Sequence, residues 1–289
     1  MANRFTFIPL LAAAAVLFPT IDATACPDGQ IVAATAEAFR MKTPGPVYPD
    51  GTSLEDGYCA QDEYLALLAE ELGERAGYKA GLTNQALQER FGATEPVGGV
   101  LFKSMLLPSG TEIEADFGVR SFYEADLIIT VADERINEAR TPEEAVRYLG
   151  EVIPFVELLD LVMAEGEPMN LATIAGYNVA SRYGVVGKAI PVEPTPAFIE
   201  ALGNLESFTL DDTGREIQRA KGTAMMGHPL NVLLWLVEHV GAQGQRLQAG
   251  DVLSLGAMGT FHPTEAGRTI TVRYTGLPGG DSEAVVTFR

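Results

Sequence analysis

The chain of 289 residues has little cysteine, little histidine and little positive charge. Its 2 cysteines, Cys26 and Cys59, lie in neither a C-x-x-C pair nor a zinc-ligand spacing, so neither is given a catalytic role. Its 3 histidines, His228, His239 and His262, show no metal-binding spacing. His228 stands before Pro229 and is read as fixing the start of a helix rather than as a base. Lys and Arg number 20 against 39 Asp and Glu, a net charge of −19 that argues against nucleic-acid phosphates as partners. The same charge favours solubility and permits cation binding. There is no internal repeat and no low-complexity segment.

The apolar run from Phe5 to Phe18 is interrupted by Pro9 and is too short for a comfortable membrane span. Arg4 precedes it and Ala23-Thr24-Ala25 follows it, which is the pattern of a secretory signal over residues 1–25. An uncleaved N-terminal anchor is the alternative. Cleavage would leave Cys26 at the mature N-terminus, export to the periplasm and no membrane span. An oxidising compartment permits a Cys26–Cys59 disulfide. A lipidated Cys26 with a free Cys59, or two inert thiols, stay open, although Ala23 is a poor match to the Leu usual three residues before a lipidated cysteine. With 47% hydrophobic residues the chain can bury a large core, as one large domain or two unequal ones.

Proline and glycine punctuate residues 27–60, within which Ile31 to Met41 reads as a short helix. Asp62 to Ala76 reads as an amphipathic helix with Leu65, Leu67, Leu68 and Leu72 on one side. In Gly77-Tyr78-Lys79-Ala80-Gly81 the glycines permit tight turning and close backbone approach. Lys79 there suits an anionic ligand, or snorkels to the surface. Asn84 to Phe91 reads as a helix ended by Gly92. Strands are expected near 111–118, 122–131, 269–275 and 283–288, with a turn at 248–250 leading into another. Thr141, Pro142 and Glu144 open a helix running to about Leu149. A surface excursion over 191–206 holds a short helix, Ala197 to Leu202, and Val232 to Val240 is a strong helix.

The decisive stretch is Phe122-Tyr123-Glu124-Ala125-Asp126-Leu127-Ile128-Ile129-Thr130-Val131. Side chains alternate along a strand, so Tyr123, Ala125, Leu127, Ile129 and Val131 share an apolar face. Glu124 and Asp126 then point together from the other face. Like charges so close repel, and burying them unpaired is costly. A divalent cation such as Mg²⁺ or Mn²⁺ would answer both problems. A solvated edge strand with two surface acids is the plainer reading. Glu157, inside the apolar run Val152 to Val162, is either a third ligand or the partner of an unidentified Arg or Lys.

Taken in order, Gly77-Tyr78-Lys79-Ala80-Gly81-Leu82-Thr83, Phe122 to Leu127, Glu157, Gly227-His228-Pro229-Leu230-Asn231 with Trp235, Gly250-Asp251 and Gly256-Ala257-Met258-Gly259 resemble the fumarylacetoacetate hydrolase superfamily. The branch resembled is that of the 2-keto-4-pentenoate hydratases and 4-oxalocrotonate decarboxylases, over roughly residues 60–289. The resemblance implies an α+β fold with a mixed, curved β-roll over 93–289, preceded by a helical N-terminal segment over 26–92. It implies Mg²⁺ or Mn²⁺ on Glu124, Asp126 and Glu157, with Lys79 holding or polarising a small keto-acid substrate and Asn178 binding it. It implies hydratase-type lyase chemistry, with decarboxylation, C–C hydrolysis or silent binding as alternatives, and a homo-oligomer. Asp126 is shorter than the Glu usual at the central position. Three departures stand out. Ala172 to Tyr177 stands where the family has an Asp-rich segment, and Asn178 matches only with one residue inserted. Val97 replaces an acid in Glu95-Pro96-Val97-Gly98-Gly99. Leu255 stands where a Thr or Ser would help bind the substrate carboxylate, and Ser254 is expected to face the other way.

Overall fold

The computed structural model describes residues 26–289; the signal read over residues 1–25 lies outside the described residues. The fold is α+β with a mixed, curved sheet. It is organised by the strand Ser121–Val131 and its antiparallel neighbour Leu149–Asp160. Tyr123, Ala125, Leu127, Ile129 and Val131 enter the main core, as their alternation requires. From the neighbour, Val152, Val156 and Leu158 join them. Each fully buried Leu or Ile in this layer contributes about 2 kcal/mol of transfer free energy.

Seven strands of a nine-stranded sheet follow the order Val97–Phe102, Arg75–Gly81, Val252–Ala257, Ser121–Val131, Leu149–Asp160, Ser181–Val186 and Leu106–Pro108. Arg75–Gly81 runs parallel to Val252–Ala257 and antiparallel to Val97–Phe102, so the sheet is mixed. Register shifts at Ile129/Val131, Leu158/Leu159 and Ser254/Ala257 add local twist to it. A second, five-stranded sheet contains Thr269–Thr275 and Ser282–Phe288, and its buried side chains share the main core with those of helix Pro229–Ala242. The opposite face of the large sheet is covered by helices Gly29–Met41, Leu54–Leu67 and Leu171–Gly176. The acids at 124, 126 and 157 therefore face the helical side and not the main core.

Two expectations are corrected. Residues 62–76 do not form one helix. Ser53 opens a helix at Leu54 with a capping box to Asp56, the helix ends at Leu67, and a single turn Ala69–Leu72 stops at Gly73 with φ +70°. Residues 77–81, whose glycines permit close backbone approach, belong to the buried strand Arg75–Gly81. Glycine is needed at 77 for close approach: a Cβ there would lie 1.9 Å from the Val252 carbonyl oxygen. The strand expected over 111–118 is only Thr111–Ile113. Helices starting at Gln85, Pro142, Pro196 and Pro229 follow their caps Asn84, Thr141, Thr195 and His228.

Candidate metal centre

Sheet register assembles the site. Glu124 lies opposite Glu157 across the antiparallel pair of strands. Lys79 lies opposite Ser254 across the parallel pair, and the strand carrying Ser254 runs beside the one carrying Asp126. Glu124, Asp126 and Glu157 each offer a carboxylate oxygen, and these oxygens lie within 4.8 Å of one another. This is the one such cluster of metal-ligating side chains found among the described residues. All three acids are almost fully buried, Asp126 completely so at 0% exposure. The shorter side chain at 126 still reaches the cluster.

Lys79 is 1% exposed, so it does not snorkel. Its Nζ donates to Glu157 and to the carbonyl of Val179, the latter at 3.0 Å. The partner of Glu157 that sequence could not identify is thus Lys79. Burial pushes the Glu124 carboxyl well above the usual range, and the negative charges of Glu157 and Asp126 push it the same way. Burial, then Glu157, raises Asp126, against a hydrogen bond from Ser254 Oγ at 2.5 Å. Tyr274 donates its hydroxyl to the Asp126 carbonyl from the core side.

Asn178, Val179 and Ala180 have φ of 52°, 54° and 56°, an unusual run of left-handed non-glycine residues. Strain of this kind persists only where the surroundings fix it. Asn178 supplies part of that fixing: its side chain accepts from Val100 N at 2.7 Å and donates to Val100 O at 2.9 Å. The turn delivers the Val179 carbonyl to Lys79. Asn178, Lys79 and Val179 all close over Gly99, where a Cβ would lie 3.0–3.1 Å from each.

Sequence reasoning placed Ser254 on the wrong side. Leu253 and Leu255 are in the main core, so Ser254 faces the acids. The apolar residues on either side of Ser254 carried that signal. Val97 is fully buried against Ile174, Ala175 and Val179. Glu95, its near neighbour, turns away to accept from Trp235 Nε1 at 3.2 Å. His228 caps its helix by accepting from Leu230 N at 3.0 Å, as read from sequence. Beside the acids opens a cavity of about 130 Å³, whose wall includes Lys79, Glu124, Glu157, Leu82, Met169, Ile174 and Phe261.

The curved mixed sheet under its helical cover has counterparts among solved structures. The chain superposes on 4-oxalocrotonate decarboxylase from Pseudomonas putida G7, complexed with magnesium and adipate, with a TM-score of 0.77 at 21% identity, covering 90% of this chain and 98% of that one. It also matches a fumarylacetoacetate hydrolase family protein from Yersinia pestis CO92 with a TM-score of 0.52 at 13% identity, over 76% of this chain and 95% of that one. In sequence it is 28% identical to 2-keto-4-pentenoate hydratase 1 of Dechloromonas aromatica over 240 residues, 79% of this chain and 89% of the relative. No family model matches the chain. The resemblance read from the motifs is thus borne out in both sequence and fold.

Proposed function

We propose that the chain is a metal-dependent lyase of hydratase type acting on a small 2-keto or 2-hydroxydienoic acid. The observation that carries this is a charge imbalance. When ionised, the three buried carboxylates exceed the one buried ammonium by two negative charges, which a divalent cation would balance. An all-oxygen carboxylate set suits Mg²⁺ or Mn²⁺, and the matched decarboxylase structure is complexed with magnesium. Glu124, Asp126 and Glu157 would hold the ion. When bound, it supplies Lewis-acid stabilisation of the negative charge that develops on the 2-oxygen.

The other steps belong to the chain's own groups. Lys79, fixed between Glu157 and the Val179 carbonyl, sits where it can hold an anionic oxygen of the substrate. Ser254 orients Asp126. Asn178 acts by holding the 178–180 turn against Val100, which keeps Lys79 in place. The apolar wall excludes water and strengthens each of these electrostatic contacts. A second reading, silent binding of metal and small acid, is favoured by Val97, which offers no proton-transfer group in its apolar cluster.

We further read residues 26–92 as an N-terminal segment that lends Lys79 to a catalytic roll over 93–289, and the chain as an exported, periplasmic homo-oligomer. The Cys26–Cys59 disulfide, with Cα atoms 5.4 Å apart, supports export. No helix among the described residues is long and apolar enough to cross a membrane.

The test is the ultraviolet absorbance of 2-hydroxypenta-2,4-dienoate with the protein and Mg²⁺ or Mn²⁺, and again with EDTA. Metal-dependent loss that Glu124→Gln abolishes is expected. Tight metal binding with no turnover of this diene, of keto-acid decarboxylation substrates or of diketones would replace the lyase with the silent binder.

A further inference from the structure

A second cavity, of about 260 Å³, is walled by helix Leu54–Leu67, the end of helix Pro229–Ala242 and the strands Arg75–Gly81 and Val97–Phe102. Tyr78 lines it and Lys79 does not, as alternation along their strand requires. None of the three clustered acids lines it. Helix Leu54–Leu67 contributes Tyr58, Gln61 and Asp62. Spacings of three and four residues bring Gln61 and Asp62 beside Tyr58 on one helix face.

Gln61 is the residue that points to a ligand. It is 6% exposed, and its Nε2 is committed to the carbonyls of Gly98 and Ala175. Its Oε1 is therefore the free atom, and it has no partner among the described residues. Leaving a buried amide oxygen without a donor is costly. The Tyr58 oxygen accepts from Gly98 N at 3.0 Å and keeps a second lone pair. Asp62, at the rim, has no partner for its carboxylate among the described residues, and partial burial raises its carboxyl above the ordinary value.

The other charged side chain in the wall is already engaged. Arg75 donates to the Tyr78 hydroxyl, lies over the Tyr78 ring at 4.7 Å and has Asp251 at 3.8 Å. His239 stacks on Trp235 at 4.7 Å and meets Tyr58 at 5.0 Å, and burial lowers its pKa, so it is neutral at pH 7. Gln243 and Gln245 stand at the exposed rim, where water serves them. The groups left over around Gln61 are thus acceptors, one of them a carboxylate. An anion would be repelled by them. Asp62 and His239 make too few ligands for a metal ion. A primary ammonium brings three N–H donors on one positive nitrogen, and the neutral rings beside it tolerate a cation.

We propose that this cleft is a second ligand site, separate from the carboxylate cluster, which binds a small primary ammonium ion through the Asp62 carboxylate, Gln61 Oε1 and the Tyr58 oxygen. The net charge of −19 draws such a cation to the surface.

Trp235 is the chain's single tryptophan, and its contact with His239 makes its fluorescence a report on the cleft. The experiment is titration of that fluorescence with propylammonium chloride, 1-propanol and sodium propanoate at constant ionic strength, in Mg²⁺ and again in EDTA. A saturable change with propylammonium alone, the same in both media, is expected. Asp62→Asn, at an exposed position and checked for folding by circular dichroism, should weaken it about tenfold or more, the loss for a hydrogen bond to a charged group. No saturable change would mean that the cleft holds only water and would overturn the site. An equal response to 1-propanol or propanoate, or an unchanged affinity in Asp62→Asn, would overturn the ammonium assignment. A response lost on adding Mg²⁺ would move the ammonium to the carboxylate cluster and overturn it as well.

Discussion

Lys79 brings one positive charge to three buried carboxylates, and its Nζ is held by Glu157 and by the Val179 carbonyl. Removing it by Lys79→Met leaves those acids without a cation, and breaking a buried pair in this way costs about 3–5 kcal/mol. Urea unfolding in EDTA should show a loss of that order, and saturating Mg²⁺ should restore much of it by binding only the folded state. An equal loss with and without Mg²⁺ would mean that the acids do not share an ion. The metal-free protein should also carry a pH signature. Glu124 and Asp126 have carboxyls raised above their ordinary values of 4.5 and 3.8 in the folded chain. Above those values the folded state binds more protons than the unfolded state, so stability falls as pH rises toward the folded pKa. Urea midpoints in EDTA should therefore drop from pH 5 upward, and Mg²⁺, which holds the carboxylates ionised, should flatten the slope. At this scale the sequence was informative where periodicity speaks: alternation within Phe122 to Val131 set Glu124 and Asp126 on one face. It could not name the partner of Glu157, since Lys79 lies 78 residues away and only sheet register brings them together.

Helix Leu54–Leu67 connects the disulfide to the site. It contains Cys59, packs Gly57 against the Ala172 backbone, and sends Gln61 Nε2 to the carbonyls of Gly98 and Ala175 at 3.0 and 2.8 Å. Opening the Cys26–Cys59 bridge, whose sequence separation is 33, should lower stability by about 4 kcal/mol, the loss expected for a loop of this size. Urea unfolding with and without dithiothreitol measures it, and identical midpoints would show that the bridge does not constrain the chain. Gly57→Leu should destabilise the helical cover more locally, because a Cβ at 57 would lie 2.8 Å from the Ala172 backbone. Elements with strong end signals were legible. Thr141-Pro142 and Asn84 with Gly92 gave helices where the caps placed them. The strand Arg75–Gly81 was hidden because its two glycines look like turn residues. Their purpose is instead to let neighbouring backbone and side chains approach, as Val252 does at Gly77 and Val179 at Gly81.

For the molecule as a whole, a net charge of −19 gives a surface that repels anions, while the proposed substrate is one. A cation held by Glu124, Asp126 and Glu157, as proposed, would reconcile the two, because it acts at short range in a low dielectric where surface charge is screened. The fold supplies the frame for the cluster: four adjacent strands in the order that carries Lys79, Ser254, Asp126 with Glu124, and Glu157. The order of strands was not legible from one sequence, although the resemblance implied the fold that contains it.

The most direct measurement is calorimetric titration of Mn²⁺ into the chelator-treated protein and into Glu124→Gln. A single site per chain, weakened by more than about tenfold in the variant, is expected, since even groups that only orient a ligand cost that much. Unchanged Mn²⁺ affinity in Glu124→Gln, or no binding to the unmodified chain, would contradict the assignment of Glu124, Asp126 and Glu157 as the metal ligands.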